Sequence, residues 1–203
     1  MKSLFWLWIS VLCLLVVSSA RGETYLLSLR YQPSKEFPSL QEKIGSTLGM
    51  APFRDERPDP LYIGRHTSFR GTSIYFKSDP SPLEKALAES LSNVLSQRGV
   101  KIIPISQWDG KPESLQDIET DSVLMIEIKK FWAEGKGHLF RTNLKTGIHL
   151  VIHLGVKKEN RVFTKNLEVQ QETTFPRLTK ERMEEAINRI LTDLLDPFFS
   201  NPY

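Results

Sequence analysis

Cysteine is nearly absent from this chain: the 203 residues hold one, Cys13, within an apolar N-terminal run. If the chain is cut after Ala20, none remains, which excludes disulfides, a cysteine nucleophile and thiolate metal sites together. Catalytic signatures are missing too. The sequence has no Gly-x-Ser-x-Gly elbow, no Gly-x-x-x-x-Gly-Lys phosphate loop, no dinucleotide fingerprint and no EF-hand spacing. Charge of neither sign dominates: 27 Lys and Arg against 24 Asp and Glu leave +3, spread along the chain, so no basic footprint for nucleic acid is present. Low-complexity tracts and internal repeats are also lacking. The one long apolar run, Leu4 to Val17, is shorter than the roughly 20 residues a spanning helix needs.

That run has the layout of a secretory signal peptide. Lys2 supplies the positive region, Leu4 to Val17 the apolar core and Ser18-Ser19-Ala20 the small-residue cleavage site. The expected organisation is a signal peptide over residues 1–20 and a single α+β envelope domain over 21–203, delivered to the periplasm or secreted after cleavage near Ala20. Leu12 is too large for a lipid-attachment motif before Cys13, which argues against a lipid anchor. An uncleaved N-terminal anchor is the alternative to cleavage. With 40% hydrophobic and 25% charged residues, the exported part has the composition of a chain that can build its own core.

Tyr25 to Arg30 reads as a first strand and Ile44 to Phe53 as a second, ended by Pro52. Thr67 to Ser78 suits a short strand or ordered loop. Ser81-Pro82-Leu83-Glu84 predicts a helix start with Ser81 as cap, Pro82 in the first turn and Glu84 closing a capping box. Leu83, Leu87, Leu91, Val94 and Leu95 then recur at helical spacing to Arg98, and Gly99 ends the helix. A strand follows at Val100 to Ile105, and a polar connection at Gln107 to Thr120 holds a helical turn near Ser114 to Ile118.

Three long strands come next, at Asp121–Trp132, Thr146–Val156 and Arg161–Thr174, with Glu134 to Gly137 turning the chain between the first two. The middle one is the most regular stretch of the sequence. Ile148, Leu150, Ile152, Leu154 and Val156 share one side, and His149 and His153 the other. A last helix from Thr179 to Leu195 presents Met183, Ala186, Ile187, Ile190, Leu191, Leu194 and Leu195 as an apolar stripe, and Pro197 stops it. The predicted fold is α+β: a mostly antiparallel sheet with two helices packed on one face, ending in a three-stranded meander and a C-terminal helix. Leu87, Leu91, Ile187, Ile190 and Leu194 are the expected partners of the aliphatic row.

Few residues invite chemistry. His149 and His153 are four apart, which on a strand is about 13 Å. They cannot share a zinc ion with bonds of about 2.1 Å, and the plain expectation is two half-exposed polar residues. Asp55, Glu56, Arg57 and Asp59 concentrate charge in a proline-interrupted loop, a candidate interaction loop in which Arg54 or Arg57 pairs with Asp55. The aromatic tail Phe198-Phe199-Ser200-Asn201-Pro202-Tyr203 is expected to dock on its own domain, with membrane or partner contact as alternatives.

The run Phe53-Arg54-Asp55-Glu56-Arg57-Pro58, the Ile63-Gly64 after it, the helix Leu83 to Arg98 ending in Gly99-Val100, and the closing meander plus helix resemble the YajG-like family of bacterial envelope lipoproteins. The resemblance spans about Leu48 to Leu195. It implies a periplasm-facing α+β domain, usually held at a membrane by lipid, and it brings no catalytic residues. This chain departs from the family in lacking a suitable lipidation cysteine.

The reading reached is an exported, non-enzymatic envelope protein without cofactor, catalytic residues or metal site. It would act as an accessory or binding module of a periplasmic or membrane-associated assembly. Its expected partners are an envelope protein or lipid, with peripheral membrane association and no nucleic acid. Two alternatives stand: a secreted hydrolase or metal-dependent enzyme using the Asp55–Asp59 loop with a histidine, and a carrier of lipid or another apolar ligand held between sheet and helices.

Overall fold

In the computed structural model, residues 23–202 are described. The expected signal peptide, Cys13 and the last residue of the aromatic tail lie outside them. Nine strands and three helices follow in the order β1 (Glu23–Ser28), α1 (Leu40–Ile44), β2 (Thr47–Met50), β3 (Arg54–Asp55), β4 (Gly64–Thr67), β5 (Ser73–Asp79), α2 (Leu83–Gln97), β6 (Lys101–Pro104), β7 (Ser122–Gly137), β8 (Thr142–Val156), β9 (Arg161–Phe175) and α3 (Lys180–Ser200).

β7 is the spine of the sheet. Along one edge it takes β8 antiparallel over its whole length, and β9 continues that meander. Along the other edge β2, β3 and β4 line up in succession, all parallel to β7, at Leu48 beside Ser122, Arg54 beside Glu127 and Gly64 beside Ala133. β6 extends the sheet from β2, and β5 then β1 extend it from β4. The expectation of a mostly antiparallel sheet holds in part. The long C-terminal ladders are antiparallel, whereas β1–β5, β2–β6 and every pairing of β7 with β2, β3 and β4 are parallel, so the sheet is mixed. Strands this short carry too little alternation to reveal their direction.

The aliphatic row of β8 is fully inside: Ile148, Leu150, Ile152, Leu154 and Val156 are at most 2% exposed. Burial of each contributes about 1.5–3 kcal/mol. Leu87 and Leu91 of α2 and Ile187, Ile190 and Leu194 of α3 belong to the same core cluster, as does Leu40 of the unforeseen short helix α1. β7 stays in register with this core through a bulge between Ile128 and Lys130. Leu124, Ile126 and Ile128 face the core before the bulge, Phe131 and Ala133 after it. One extra residue flips the parity of the strand, which is what a bulge does.

The opposite face is not bare at its Ser122 end. There Val123 and Met125 of β7 form a second cluster with Ala51 and with Trp108 and Leu115, the last two supplied by the connection that reads as polar in sequence. Gly155 makes room there, since a Cβ at that position would collide with Leu115 Cδ2 and stand 2.9 Å from Trp108. This covering explains why β7 begins apolar on both faces.

Several boundaries move. The stretch read as a strand from Ile44 to Phe53 divides into the end of α1, β2 and a link to β3. The predicted Ser81 cap and Glu84 capping box do not form: α2 starts at Leu83, Pro82 stands at its cap without a side-chain bond, and Glu84 Oε2 is buried without a partner. Its other end holds, with Gly99 at φ +80°. β7 runs on to Gly137 where a turn was expected, because β4 on one side and β8 on the other keep its backbone paired. Thr179 caps α3 by accepting from the Arg182 N–H. Pro197 does not end that helix, which continues to Ser200. Phe198 and Phe199 are buried, and Phe199 packs on Tyr31 and Phe37, so core packing carries the helix past a residue that lacks a donor.

Candidate functional site

The charged loop after β3 turns inward. Between the registers of β3 and β4 the edge of β7 has no strand beside it, and the Phe131 carbonyl would be left without a donor. Arg57 fills that gap. Its Nη1 donates to the carbonyls of Phe131 (3.0 Å) and Tyr62 (2.8 Å), and its Nη2 to that of Pro60 (2.9 Å). Nε and Nη2 grip the two oxygens of Asp55 at 2.8 and 2.7 Å. The side chains of Arg57 and Asp55 are only 4% and 6% exposed. Of the four loop residues singled out in sequence, these two form a closed buried pair. Glu56 reaches out to Lys129 at 2.6 Å, and Asp59 accepts from the Leu61 N–H.

His149 and His153 lie on the face of β8 away from the core, each tied to β9. His149 Nε2 is 2.5 Å from Asn166 Oδ1, and His153 Nδ1 is 3.0 Å from Thr164 Oγ1. His153 Nε2 also stands 3.6 Å from Glu127, whose carboxyl the Lys129 ammonium holds below the usual carboxylate range. Glu127, Lys129 and Glu56 thus form a chain of ion pairs beyond the second apolar cluster. Among the described residues no group of three or more His, Cys, Asp or Glu is arranged to hold a metal ion.

Two features that sequence reasoning missed depend on which backbone is left unpaired. The first is the outer edge of β9. Its fifteen residues pair with β8 in unbroken register, and no other described strand lies against them. The stretch holds no proline and no bulge, two devices by which natural edges avoid pairing with another chain. Phe163, Leu167, Val169 and Phe175 alternate along it, half-buried at the margin of the core. The second is an apolar groove of about 570 Å³ between α2 and β6, lined by Met50, Phe53, Ala88, Ile102, Pro104 and Ile105 among others. Since Pro104 has no N–H to offer, this groove receives side chains better than it receives a strand.

No family model matches the sequence, and no curated protein matches it. Solved structures do resemble it. A DUF330 protein from Xanthomonas campestris is 16% identical, with 88% of this chain and 95% of that chain covered at a TM-score of 0.55. PelC from Paraburkholderia phytofirmans, a dodecamer, is 10% identical over 82% of this chain and 95% of its own, at a TM-score of 0.45. Lipoprotein GNA1162 from Neisseria meningitidis is 12% identical over 74% and 99%, at 0.40. At such identities the likeness to the Xanthomonas protein is one of fold, and the other two are weaker. Among the described residues no helix is long and apolar enough to cross a membrane. The described chain is thus a mixed α+β fold, shared in outline with the Xanthomonas protein.

Proposed function

We propose that this chain is an exported, non-enzymatic protein of the cell envelope, an accessory module that holds an extended segment of a protein partner along β9. The observation that carries this reading is the outer edge of β9, against which no other described strand lies. An added strand would pair with outward N–H and carbonyl groups against which no other described strand lies, and its side chains would lie beside the half-buried Leu167 and Val169. Export rests on the signal-type N-terminal pattern. The YajG-like resemblance, with its periplasm-facing domain, points the same way.

The buried Arg57–Asp55 pair speaks against the hydrolase alternative, since both oxygens of that carboxylate are already engaged. The carrier alternative has less support, because the side chains between sheet and helices form one contiguous buried cluster.

A photo-cross-linking residue at Gln171, exposed on β9, tests the reading in intact envelopes, with Arg189, exposed on α3, as the control position. The expected result is a discrete protein adduct from Gln171 and none from Arg189. Recovery of the unlinked monomer from both positions would sink it.

A further inference from the structure

We propose that the end of the sheet carrying the β4–β5 and β7–β8 turns seats on an anionic lipid surface. The two turns lie side by side because β4 runs parallel to β7, with Thr67 beside Lys136. A Cβ on Gly137 would stand 2.9 Å from the Phe69 backbone, so the contact is close. The β7–β8 turn is closed by the His138 N–H donating to the Arg141 carbonyl at 2.7 Å. That places Leu139 and Phe140 at its two central positions, where turns ordinarily carry Gly, Asn, Asp, Pro or Ser. The β4–β5 turn does have turn chemistry, with Gly71 at φ +85°, yet Phe69 leads it. Leu139 and Phe69 are 64% exposed and Phe140 is 83% exposed. Apart from these three, only Leu26 and Leu61 among the described residues are exposed large hydrophobic side chains.

Three further observations select lipid as the occupant. Arg70, Lys136 and Arg141 are interleaved with the apolar side chains. Arg177 follows the end of β9, whose Phe175 pairs with Thr142 beside the turn. The acidic residues of this end are Glu23, which accepts from the Tyr25 hydroxyl, Glu134, which is held by Arg65 at 2.8 Å and by Trp132, and Glu172, level with Glu134 across β8 and 3.4 Å from Lys145. Apolar tips ringed by cations match the boundary between lipid headgroups and acyl chains. Finally, Glu23 begins β1 opposite Ile74, just after the β4–β5 turn. In the uncleaved alternative, the apolar run Leu4–Val17 would therefore be brought to this same end. The proposal is independent of the reading of β9, a different surface.

The test uses the full chain with Cys13→Ser and an environment-sensitive fluorophore on Phe140→Cys. A second preparation carries the fluorophore on Lys158→Cys, in the turn after β8 at the opposite end of the sheet. Both are reconstituted with vesicles of phosphatidylcholine alone or mixed with phosphatidylglycerol. The expected result is a blue shift and loss of quenching by aqueous iodide for the Phe140 label in the anionic vesicles, with the Lys158 label unchanged. Arg70→Glu, Lys136→Glu and Arg141→Glu should each weaken this docking about fivefold or more. A Phe140 label as quenchable in anionic vesicles as the Lys158 label would overturn the proposal. Protection of the Phe140 label before lipid is added would also overturn it, by assigning the patch to a second copy or another part of the chain.

Discussion

The loop at Asp55–Asp59 and the turn at His138–Arg141 are opposites. The first is the most charged stretch near a strand end, and it folds its strongest charges into the sheet, with the Arg57 and Asp55 side chains at 4% and 6% exposure. The second is short and bears Leu139 and Phe140, the residues composition would assign to a core, at 64% and 83% exposure. What separates them is backbone demand. Beside the loop an unpaired stretch of β7 requires donors and Arg57 supplies them, whereas the turn satisfies its own backbone through the bond between His138 and Arg141, leaving its side chains without a structural task. Charge in a sequence is therefore a poor guide to surface here, and hydrophobicity a poor guide to core.

The comparison can be broken most severely at the core itself. Leu150→Asp places a carboxylate in the centre of the aliphatic row, 1% exposed, and is expected to abolish folding, read as loss of the cooperative thermal transition. An unchanged melting temperature would remove that row from the core. Arg57→Met comes next, at about 3–5 kcal/mol in denaturant titration, because it leaves Asp55 buried without its partner. Adding Asp55→Asn to it should recover part of that loss, which a merely exposed ion pair would not do.

Asp121 offers an intermediate effect. Its Oδ2 accepts from the backbone N–H groups and hydroxyls of Ser46 and Thr47, tying the start of β2 to β7. Those bonds, the Thr47 N–H foremost, hold its carboxyl below the usual carboxylate range. A depressed carboxyl stabilises the fold above its unfolded pKa, and that contribution disappears as the pH falls through the lower folded value. Asp121→Ala should cost about 1–2 kcal/mol near neutrality and flatten the acid side of the stability profile. A profile as steep as that of the unaltered chain would remove Asp121 from this role. Phe140→Asp should have the smallest effect, within about 0.5 kcal/mol. It is the same kind of change that destroys the fold at Leu150, and a large destabilisation there would show that the turn is packed after all.

Much of the fold was legible from periodicity. The row from Ile148 to Val156, the stripes of both long helices, Gly99 and the Thr179 cap all stand where side-chain spacing put them, since strands of fifteen residues and helices of fifteen or more repeat their pattern enough times to be unambiguous. The direction of β2, β3 and β4, the bulge at Lys129 and the passage of α3 through Pro197 were not legible. Each is settled by what lies alongside: β7 for the three short strands, the two cores for the bulge, and Tyr31 and Phe37 for the helix end. Of the candidate sites, the separation of His149 from His153 followed from strand rise alone. The β9 edge, the groove beside α2 and the paired turns were invisible, because an unpaired edge or an uncovered side chain is defined by absent neighbours.

The sequence by itself determined the aliphatic row of β8, the apolar stripes of the two long helices and the extent of the long strands, because backbone periodicity is a local property repeated along the chain. It also carried the export pattern and the scarcity of cysteine. Tertiary structure alone decided which backbone groups were left over. The gap beside Phe131 drew Arg57 and Asp55 inward, while the self-contained turns at Phe69 and Phe140 remained free to face outward. Hydrogen-bond satisfaction is counted over the whole sheet, so the fate of a charged or apolar loop depends on strands distant in sequence.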